Sequence, residues 1–436
     1  MKIGCISLGC PKNLVDTEKM LGKLLREGFQ ITPPEYAEIV IINTCAFIEE
    51  ARQESMEVIK SWINRSPDKL LIICGCLPVI MGEKLWDLSP RVRGILAPGS
   101  IDKITDAVKE VMVGNRFKEI KREGEEEIPF RLLTTSTVWS YLKIAEGCKN
   151  RCSYCLIPFL RGGYRSRKIE KLLDEARVLA DLGIKEIILV AQDTTLYGED
   201  IYGKKFLPFL LEELSRIEGI EWIRILYTHP AHFTDYLIKT ISELPKVCKY
   251  LDIPIQHCND RILKNMNRKV KKRDIMLLIE KLRKEIPQIT LRSTVMVGFP
   301  GEGEKEFKEL LQFLNDVEFD RLGVFTFSPQ KGTPAEKLPD RVPPQEARKR
   351  KEEVYALQRS ISYKKNSQKI GKTVKVILEK REGRRWRGRT EGDAPEIDNF
   401  ILLKGNPGGK VFTYAQITGA FPFHLEGKII KQEEKN

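Results

Sequence analysis

Residues 148–155, Cys148-Lys-Asn-Arg-Cys152-Ser-Tyr-Cys155, place three thiols within eight residues of the chain. The whole sequence has ten cysteines and only four histidines, so this local density favours a site for a soft metal over three free, buried cysteines. A structural zinc site needs a fourth ligand nearby, and a complete ferredoxin motif supplies four thiolates. Because the C-x3-C-x2-C spacing stops at three, it predicts an iron–sulfur cluster with one open coordination position, where a substrate or cofactor can bind.

The octapeptide resembles the cluster loop of the radical S-adenosylmethionine (SAM) superfamily, in which an aromatic residue precedes the third cysteine, as Tyr154 does here. The resemblance implies that Cys148, Cys152 and Cys155 hold a 4Fe-4S cluster. It also implies that the unique iron of this cluster binds the amino and carboxylate groups of SAM, with Tyr154 beside the cofactor.

Length, composition and charge restrict the class of protein. The chain has 436 residues, enough for two or three domains, and 42% hydrophobic residues with 31% charged residues predict a globular protein. We expect no membrane span, because no apolar run reaches about 18 residues. We expect no secretory signal, because residues 1–9 read as a short strand and not as the apolar core of a signal peptide. We therefore expect a cytoplasmic protein with reduced thiols. The net charge of +13 fits a polyanionic partner such as nucleic acid or a ribonucleoprotein, and fits a solvated lysine-rich surface equally well.

Residues 1–115 alternate buried strands with amphipathic helices, which predicts an α/β domain with a parallel sheet. Cys10, Cys45 and Cys76 each come just after a predicted strand, 2–8, 38–44 and 70–75. Since ligand sites of open α/β sheets lie at the carboxyl edge, we expect these three thiols to converge as metal ligands. Cys5 and Cys74 lie inside strands, where packing is the better interpretation.

This arrangement resembles the N-terminal domain of the methylthiotransferase family. The resemblance implies a second 4Fe-4S cluster on Cys10, Cys45 and Cys76, also with an open iron.

Residues 116–133 are charged and irregular, which predicts a linker, and six strand-like runs then alternate with helices over residues 134–365. Six βα units predict a partial TIM-like (β/α)6 barrel with its chemistry at the carboxyl ends of the strands. The cysteine loop follows the first of these strands. The predicted barrel strands are 140–145, 186–192, 222–229, 249–256, 290–298 and 321–328.

Polar side chains recur at the same rim: Gln192 and Asp193 after the second strand, His229 after the third, and Gln256 and His257 after the fourth. Any one of them could simply cap the next helix. In the radical SAM superfamily, which this chain resembles, the second, fourth and fifth barrel strands supply contacts to SAM. The resemblance therefore implies contacts from Gln192, Asp193, Gln256 and Arg292.

Two further stretches lie near this rim. Val297-Gly-Phe-Pro-Gly-Glu302 lacks the lysine of a phosphate-binding loop and resembles a stretch found in the methylthiotransferases. The basic run that starts at Arg161-Gly-Gly is either a flexible part of the active site or a solvated loop.

The C-terminal residues 366–436 have short alternating runs with glycines, which predicts a small antiparallel β-barrel. Its basic run 380–389 contains Trp386 and suits either RNA binding or a solvated hairpin tip. The placement resembles the TRAM domain, the substrate-recruiting barrel of methylthiotransferases.

Two motifs resemble the branch of that family that acts on ribosomal protein S-twelve, the RimO family. They are Gly-Cys10-Pro-Lys-Asn and the segment Asp393-Ala-Pro-Glu-Ile-Asp398, with Asn399 where glycine is usual. The resemblance implies that SAM is cleaved to a 5′-deoxyadenosyl radical that takes a hydrogen from the β-carbon of a substrate aspartate. A methylthio group then gives 3-methylthioaspartate, with reduced flavodoxin or ferredoxin as the electron donor.

Two alternatives stay open. The first keeps the chemistry but changes the substrate to the adenosine beside the anticodon of tRNA, which the basic charge favours and the two motifs disfavour. The second is a non-catalytic RNA-binding protein with structural clusters, which two three-thiol sets with open positions disfavour.

Overall fold

The computed structural model describes residues 1–121 and 130–430, and it divides into three units in chain order. The first unit is a layer of parallel strands with helices on both faces. Its strands and helices are β1 (Lys2–Ser7), α1 (Pro11–Arg26), β2 (Gln30–Ile31), β3 (Ile39–Thr44), α2 (Glu49–Arg65), β4 (Leu70–Gly75), α3 (Cys76–Met81), β5 (Val92–Leu96), α4 (Ile104–Met112) and β6 (Phe117–Glu119).

The first sheet has the order β2-β1-β3-β4-β5-β6, and every pair in it is parallel. The strands β1, β3 and β4 were expected from their buried aliphatic runs, and β2, β5 and β6 were not. Because β6 pairs with β5, the sheet continues past residue 115, where we had placed the boundary of this unit. Residues 122–129 of the predicted linker lie outside the described residues.

The second unit is the predicted six-stranded partial barrel. Its sheet has the order β14-β13-β12-β11-β10-β7 with parallel pairs throughout, and β7 and β14 do not pair with each other in the described structure. The elements of this unit are β7 (Trp139–Lys143), β8 (Ala145–Glu146), α5 (Ile157–Arg161), β9 (Arg165–Ser166), α6 (Ile169–Asp181), β10 (Glu186–Val190), α7 (Glu199–Tyr202), α8 (Leu207–Ser215), β11 (Trp222–Ile225), α9 (Asp235–Glu243), β12 (Val247–Asp252), α10 (Asp260–Asn265), α11 (Lys272–Glu285), β13 (Thr290–Val297), α12 (Glu304–Val317), β14 (Arg321–Thr326) and α13 (Pro344–Ser367).

Side chains alternate across the barrel strands, as strand geometry requires. On β10, Ile187 and Leu189 pack in the large apolar core shared with the surrounding helices. Ile188 and Val190 point the other way and pack with Tyr141 of β7 inside the barrel. The outer face of the barrel therefore packs against its own helices, and residues of the first and third units, such as Val15 and Ala394, pack against its inner face.

The third unit is a closed five-stranded barrel with the order β15-β16-β17-β19-β18. Its pairs are antiparallel except β17–β19, which is parallel, so the prediction of an antiparallel barrel was wrong for that one pair. The strands of this third unit are β15 (Thr373–Glu382), β16 (Arg385–Thr390), β17 (Phe400–Lys404), β18 (Phe412–Ala420) and β19 (His424–Ile430). Residues 431–436 lie outside the described residues.

The segment 393–398, between β16 and β17, docks on the inner face of the six-stranded barrel. Asp393 pairs with Arg321 at 2.6 Å, and Asp398 accepts a hydrogen bond of 2.6 Å from the hydroxyl of Tyr250. Glu396 accepts one of 2.8 Å from the hydroxyl of Tyr141. This segment therefore joins the third unit to the interior of the second. None of the helices among the described residues has the length and apolarity that crossing a membrane requires.

Candidate metal centres

The cysteine loop 148–155 lies at the carboxyl edge of the six-stranded barrel, and each of its three sulfurs receives a hydrogen bond. Backbone N–H groups of Asn150 and Ile157 donate to the sulfurs of Cys148 and Cys155 at 3.4 Å and 3.5 Å. The guanidinium of Arg268 lies 3.8 Å from the sulfur of Cys152. Such donors stabilise thiolates, the form in which cysteine binds metal.

The loop is fixed by contacts with a distant part of the barrel. The backbone N–H of Ser153 donates to the carbonyl of Met266 at 3.0 Å, and its hydroxyl donates to the carbonyl of Asn265 at 2.7 Å. Tyr154 packs edge-on against Phe299 of the 297–302 stretch, with ring centroids 6.4 Å apart. The ring of Tyr154 therefore helps to hold the loop in place, and its position beside the cofactor stays a prediction.

A glycine is required where the loop begins. Gly147 has φ +74°, and a Cβ there would lie 1.9 Å from the carbonyl oxygen of Gly163. The backbone N–H of Cys148 donates to the carbonyl of Gly162 at 3.3 Å. The Gly162-Gly163 pair therefore packs directly against the cysteine loop, which makes it part of the site and not a solvated loop.

The second set, Cys10, Cys45 and Cys76, assembles at the carboxyl edge of the first sheet as predicted. Cys10 precedes α1, Cys45 directly follows β3, and Cys76 is the first residue of α3. A Cβ on Gly9 would lie 2.9 Å from the sulfur of Cys45, so the backbone before Cys10 passes over that thiol. Burial, together with the neighbouring Cys10 and Cys76, raises the pKa of Cys45 to about 12.

Neither set has the geometry of a single-ion site. Among the described residues, Asp193, His229 and His232 form a group of three ligand atoms within 4.8 Å of one another, and neither cysteine set does so. Ligands of one zinc ion lie about 2.3 Å from the metal, which would bring three sulfurs within that limit. Wider spacing of thiols without a fourth local ligand fits an iron–sulfur cluster better.

Arg161 links the two cysteine sets. It is 1% exposed, and its Nη1 lies 2.8 Å from Glu146 and 3.3 Å from Asp16. Its Nη2 donates to the side-chain oxygen of Asn13. Burial raises the pKa of Cys76, and the charge of Arg161 opposes that rise. An arginine predicted only as part of a basic segment is therefore the buried centre of the domain interface.

Charge also acts on Cys10. Burial raises the pKa of this thiol, but the charges of Lys12 and Arg161 outweigh burial, so its pKa lies below the ordinary value. Backbone N–H groups of Asn13 and Lys12 add to the effect. Cys10 therefore loses its proton more readily than an ordinary cysteine does.

Gln192 and Asp193 lie next to the cysteine loop, where the resemblance placed SAM. The amide of Gln192 donates to Glu146 at 2.6 Å, while its side-chain oxygen is buried without a hydrogen-bond partner in the described part of the chain. Asp193 accepts a hydrogen bond of 2.7 Å from Asn150 and contacts His232 Nδ1 at 2.8 Å. Burial raises the pKa of Asp193, but these hydrogen bonds and the histidines outweigh it, so the carboxylate is favoured.

Gln256 lies at the same rim and has an unusual backbone. Its φ is +71°, and its N–H donates to the carbonyl of Thr294 at 2.9 Å. Arg268, which contacts Cys152, also donates to the carbonyl of Pro254 two residues earlier. The same arginine therefore ties the Gln256 segment to the cysteine loop.

Arg292 differs from the other three candidates for SAM contact. Its Nη1 lies 2.8 Å from Asp252, and its Nε lies 3.2 Å from Asp398 of the docked segment 393–398. Two carboxylates therefore hold this guanidinium within the interface between the two barrels. The structure gives Arg292 an interface contact and does not bring it to the cysteine loop.

The two histidines of the predicted rim have structural partners. Burial lowers the pKa of His229 to about 2, so this ring is neutral, and it stacks on His232 with centroids 4.6 Å apart. His257 Nε2 lies 3.5 Å from Glu302, whose carboxylate also accepts hydrogen bonds from the N–H of Gly298 at 3.0 Å and 3.1 Å. The 297–302 stretch is therefore a buried turn closed by its own glutamate.

The basic run 380–389 of the small barrel is only partly exposed. Arg389 is 2% exposed and pairs with Glu186 at 2.6 Å, and Trp386 packs against the core of the small barrel. A stacked row begins at Arg387 of the same run and continues over the neighbouring strands. The Arg387 guanidinium is 4.0 Å from the Phe400 ring, Phe400 is 5.4 Å from His424, and His424 is 4.3 Å from Phe421.

Comparison with known proteins assigns each unit. Residues 2–97 match the uncharacterized protein family UPF0004, residues 142–314 match the radical SAM superfamily, and residues 370–430 match the TRAM domain. The chain is 43% identical to "Ribosomal protein uS12 methylthiotransferase RimO" of Desulforudis audaxviator, over 98% of this chain and 97% of that protein. The chain belongs to the RimO family. The protein of the same name from Clostridioides difficile is 43% identical over 99% of both chains.

Solved structures agree on the fold. The radical SAM methyltransferase TsrM from Kitasatospora setae, solved with cobalamin and a [4Fe-4S] cluster, has a TM-score of 0.58 at 15% identity, covering 77% of this chain and 76% of that chain. The cobalamin-dependent radical SAM enzyme OxsB has a TM-score of 0.51 at 14% identity and covers 77% of this chain and 54% of that chain. RimO family membership makes this chain an enzyme that uses SAM and iron–sulfur chemistry.

Proposed function

We propose that this chain adds a methylthio group to the β-carbon of an aspartate of ribosomal protein uS12, giving 3-methylthioaspartate, and that it does so with two 4Fe-4S clusters. The observation that supports this most is the pair of three-thiol sets, joined across the domain interface by the buried Arg161. One set suffices to generate a radical. A second set, at a separate sheet edge that packs on the first, suits a centre that handles sulfur.

The residues divide the work between the sets. When bound, the cluster on Cys148, Cys152 and Cys155 supplies the electron that cleaves SAM to a 5′-deoxyadenosyl radical, which can take hydrogen from an unactivated carbon. We expect the carboxylate of Asp193 and the unpartnered oxygen of Gln192 to accept hydrogen bonds from SAM, and we expect Gln256 to make a further contact with it. Cys10, Cys45 and Cys76 would hold the sulfur-handling centre on the facing sheet edge.

Partners follow from the same proposal. Reduced flavodoxin or ferredoxin would supply electrons, and uS12, free or on the small ribosomal subunit, would be the substrate in the cytoplasm. Ribosomal RNA beside uS12 would contact the stacked row Arg387, Phe400, His424 and Phe421, since aromatic rings with a neighbouring cation suit unpaired bases.

Iron counting and cysteine replacement test the two-cluster claim. Anaerobic reconstitution should give about eight irons per chain, and about four or fewer would contradict two clusters. Replacing Cys148, Cys152 and Cys155 by alanine should abolish 5′-deoxyadenosine formation. Replacing Cys10, Cys45 and Cys76 should preserve that formation and stop thiolation.

Mass spectrometry tests the substrate. We expect uS12 from a strain without this gene to lack the methylthio group and to regain it on complementation. The contrary result is an unchanged uS12 together with loss of a methylthio group from the adenosine beside the anticodon of tRNA.

A further inference from the structure

Lys12 is a buried cation that lacks an ion-pair partner among the described residues. It is 6% exposed, and its ammonium donates to the backbone carbonyl of Ala191 at 3.3 Å. The same ammonium lies 3.7 Å from the centroid of the Tyr227 ring. Lysine is almost never this buried unless it is paired, because removing a lone charge from water is costly. Its charge lowers the pKa of the neighbouring Cys10, but no carboxylate of the described chain pairs with it, so the ammonium can also bind a carboxylate that a ligand supplies.

The nearby carboxylates are already engaged by other cations. Lys143 and Arg161 are each shared by Asp16 and Glu146, so two cations face two carboxylates in one closed group. This group is balanced in formal charge. The charge of Lys12 is left over beside it.

The location of Lys12 identifies where such a carboxylate would lie. Lys12 is in the first turn of α1, two residues after Cys10 of the second cysteine set. Its ammonium reaches Ala191, just after β10, and Tyr227, just after β11, at the carboxyl edge of the six-stranded barrel. It therefore lies where the sulfur-handling edge of the first unit meets the radical-forming edge of the second. A substrate held between the two centres would lie beside this ammonium.

We propose that Lys12 binds the side-chain carboxylate of the substrate aspartate. The inference rests on the proposed function and names the residue that recognises its substrate. The carboxylate carbon of aspartate is bonded directly to the β-carbon, so an ion pair with Lys12 fixes the reacting carbon one bond away. The bound carboxylate also neutralises the unpaired ammonium, which gives the substrate a favourable interaction that an asparagine cannot reproduce.

A binding cycle tests the proposal on the reconstituted full-length enzyme. The proteins are the wild type and Lys12→Met, and the ligands are uS12 and its variant with asparagine at the target site located by mass spectrometry. In the wild type, we expect the aspartate form to bind about 10- to 100-fold more tightly than the asparagine form, the range of a charge-assisted hydrogen bond. In Lys12→Met this preference should fall to less than about threefold, and Lys12→Arg should restore most of it.

The comparison of two ligands on one protein separates recognition from misfolding. Partial loss of folded protein weakens both forms equally and leaves their ratio unchanged. An unchanged ratio in Lys12→Met would overturn the proposal. So would a weakened affinity for SAM of about tenfold with an unchanged ratio, because Lys12 would then bind the carboxylate of SAM.

Lys69→Met is the matched control. Lys69 is also buried, 8% exposed, and its ammonium also bonds only backbone carbonyls in the described structure, those of Glu35 at 2.8 Å and Ala37 at 2.6 Å. It precedes β4 and thus lies at the opposite edge of the first sheet. Lys69→Met should keep the wild-type preference for aspartate. If the wild type itself leaves uS12 unmodified, the proposed function fails, whereas an unchanged preference in Lys12→Met contradicts only the role of Lys12.

Discussion

The two cysteine sets are built in different ways, although each offers three thiols. The barrel set lies within eight residues, and two of its sulfurs receive N–H groups from the same stretch of backbone, at Asn150 and Ile157. The N-terminal set comes from three separate strand ends, and its buried cation, Arg161, belongs to the other domain. The first set is therefore a property of one loop, and the second depends on how two domains dock. Weakening the contact between the two domains should therefore affect the N-terminal set far more than the barrel set.

Arg161→Met should have the largest effect. It leaves Asp16 and Glu146 buried with one cation fewer, and removing one partner of a buried ion pair costs about 3–5 kcal/mol of unfolding free energy. We expect the variant to bind about four irons instead of about eight, because the barrel loop keeps its own donors. Iron analysis and denaturant unfolding measure both effects.

Arg177→Met is the control for this change. Arg177 lies on α6 of the same unit, is 58% exposed in its side chain, and pairs with Asp174 at the surface. Such pairs contribute about 0–1 kcal/mol, so iron content and stability should stay at the wild-type level. Equal loss of iron from both centres in Arg161→Met would contradict the contrast between the two sets.

The difference between the sets also explains what the sequence could predict. The spacing of Cys148, Cys152 and Cys155 is local, so it is visible without a fold. Cys10, Cys45 and Cys76 became visible only once buried strands were placed before them, because parallel strands bring their carboxyl ends to one edge. The six βα units were predictable for the same reason, since each strand has its own buried aliphatic run.

Interface residues were not predictable from such patterns. Arg161 looked like one basic residue among several, and its burial depends on Asp16, which lies 145 residues away in sequence. Arg292 sits at a strand position for which the resemblance implies a SAM contact, and its pair with Asp398 of the third unit was not predictable from the sequence. Short strands such as β6, with three residues, give too few alternations to be recognised. Pairing partners that meet only after domains dock leave no periodic signal in either segment.

Arg268→Met is the converse test, because it should change the barrel set and not the N-terminal set. This arginine contacts the sulfur of Cys152 at 3.8 Å and comes from the same barrel, so its loss should leave the N-terminal set intact. We expect about tenfold slower 5′-deoxyadenosine formation, the value of one hydrogen bond to a charged group, with iron content unchanged. The reduction potential of the barrel cluster should become more negative, since a nearby positive charge stabilises the reduced form. A potentiometric titration followed by electron paramagnetic resonance measures this shift, and a more positive potential would contradict the assignment.

Lys19→Met should have an effect that depends on pH. Lys19 lies on α1, which begins after Cys10, and is 6% exposed. Burial, together with the charge of Arg167 from the barrel, lowers its pKa to about 7. An unfolded lysine has a pKa of about 10.4. Between these values the unfolded chain binds a proton that the folded chain does not, so this group opposes folding fully below pH 7 and progressively less as the pH rises.

The methionine variant cannot take up this proton, so it should be more stable than the wild type below pH 7. That advantage should shrink by about 1.4 kcal/mol per pH unit between pH 7 and 10, which urea unfolding at pH 6, 8 and 9 would measure. Lys109→Met, at an exposed surface pair with Glu27, should show no such trend. An advantage that stays constant or grows with pH would mean that the pKa of Lys19 is not lowered in the folded protein. Lys19 would then not be buried where α1 docks on the barrel, the contact on which the N-terminal cysteine set depends.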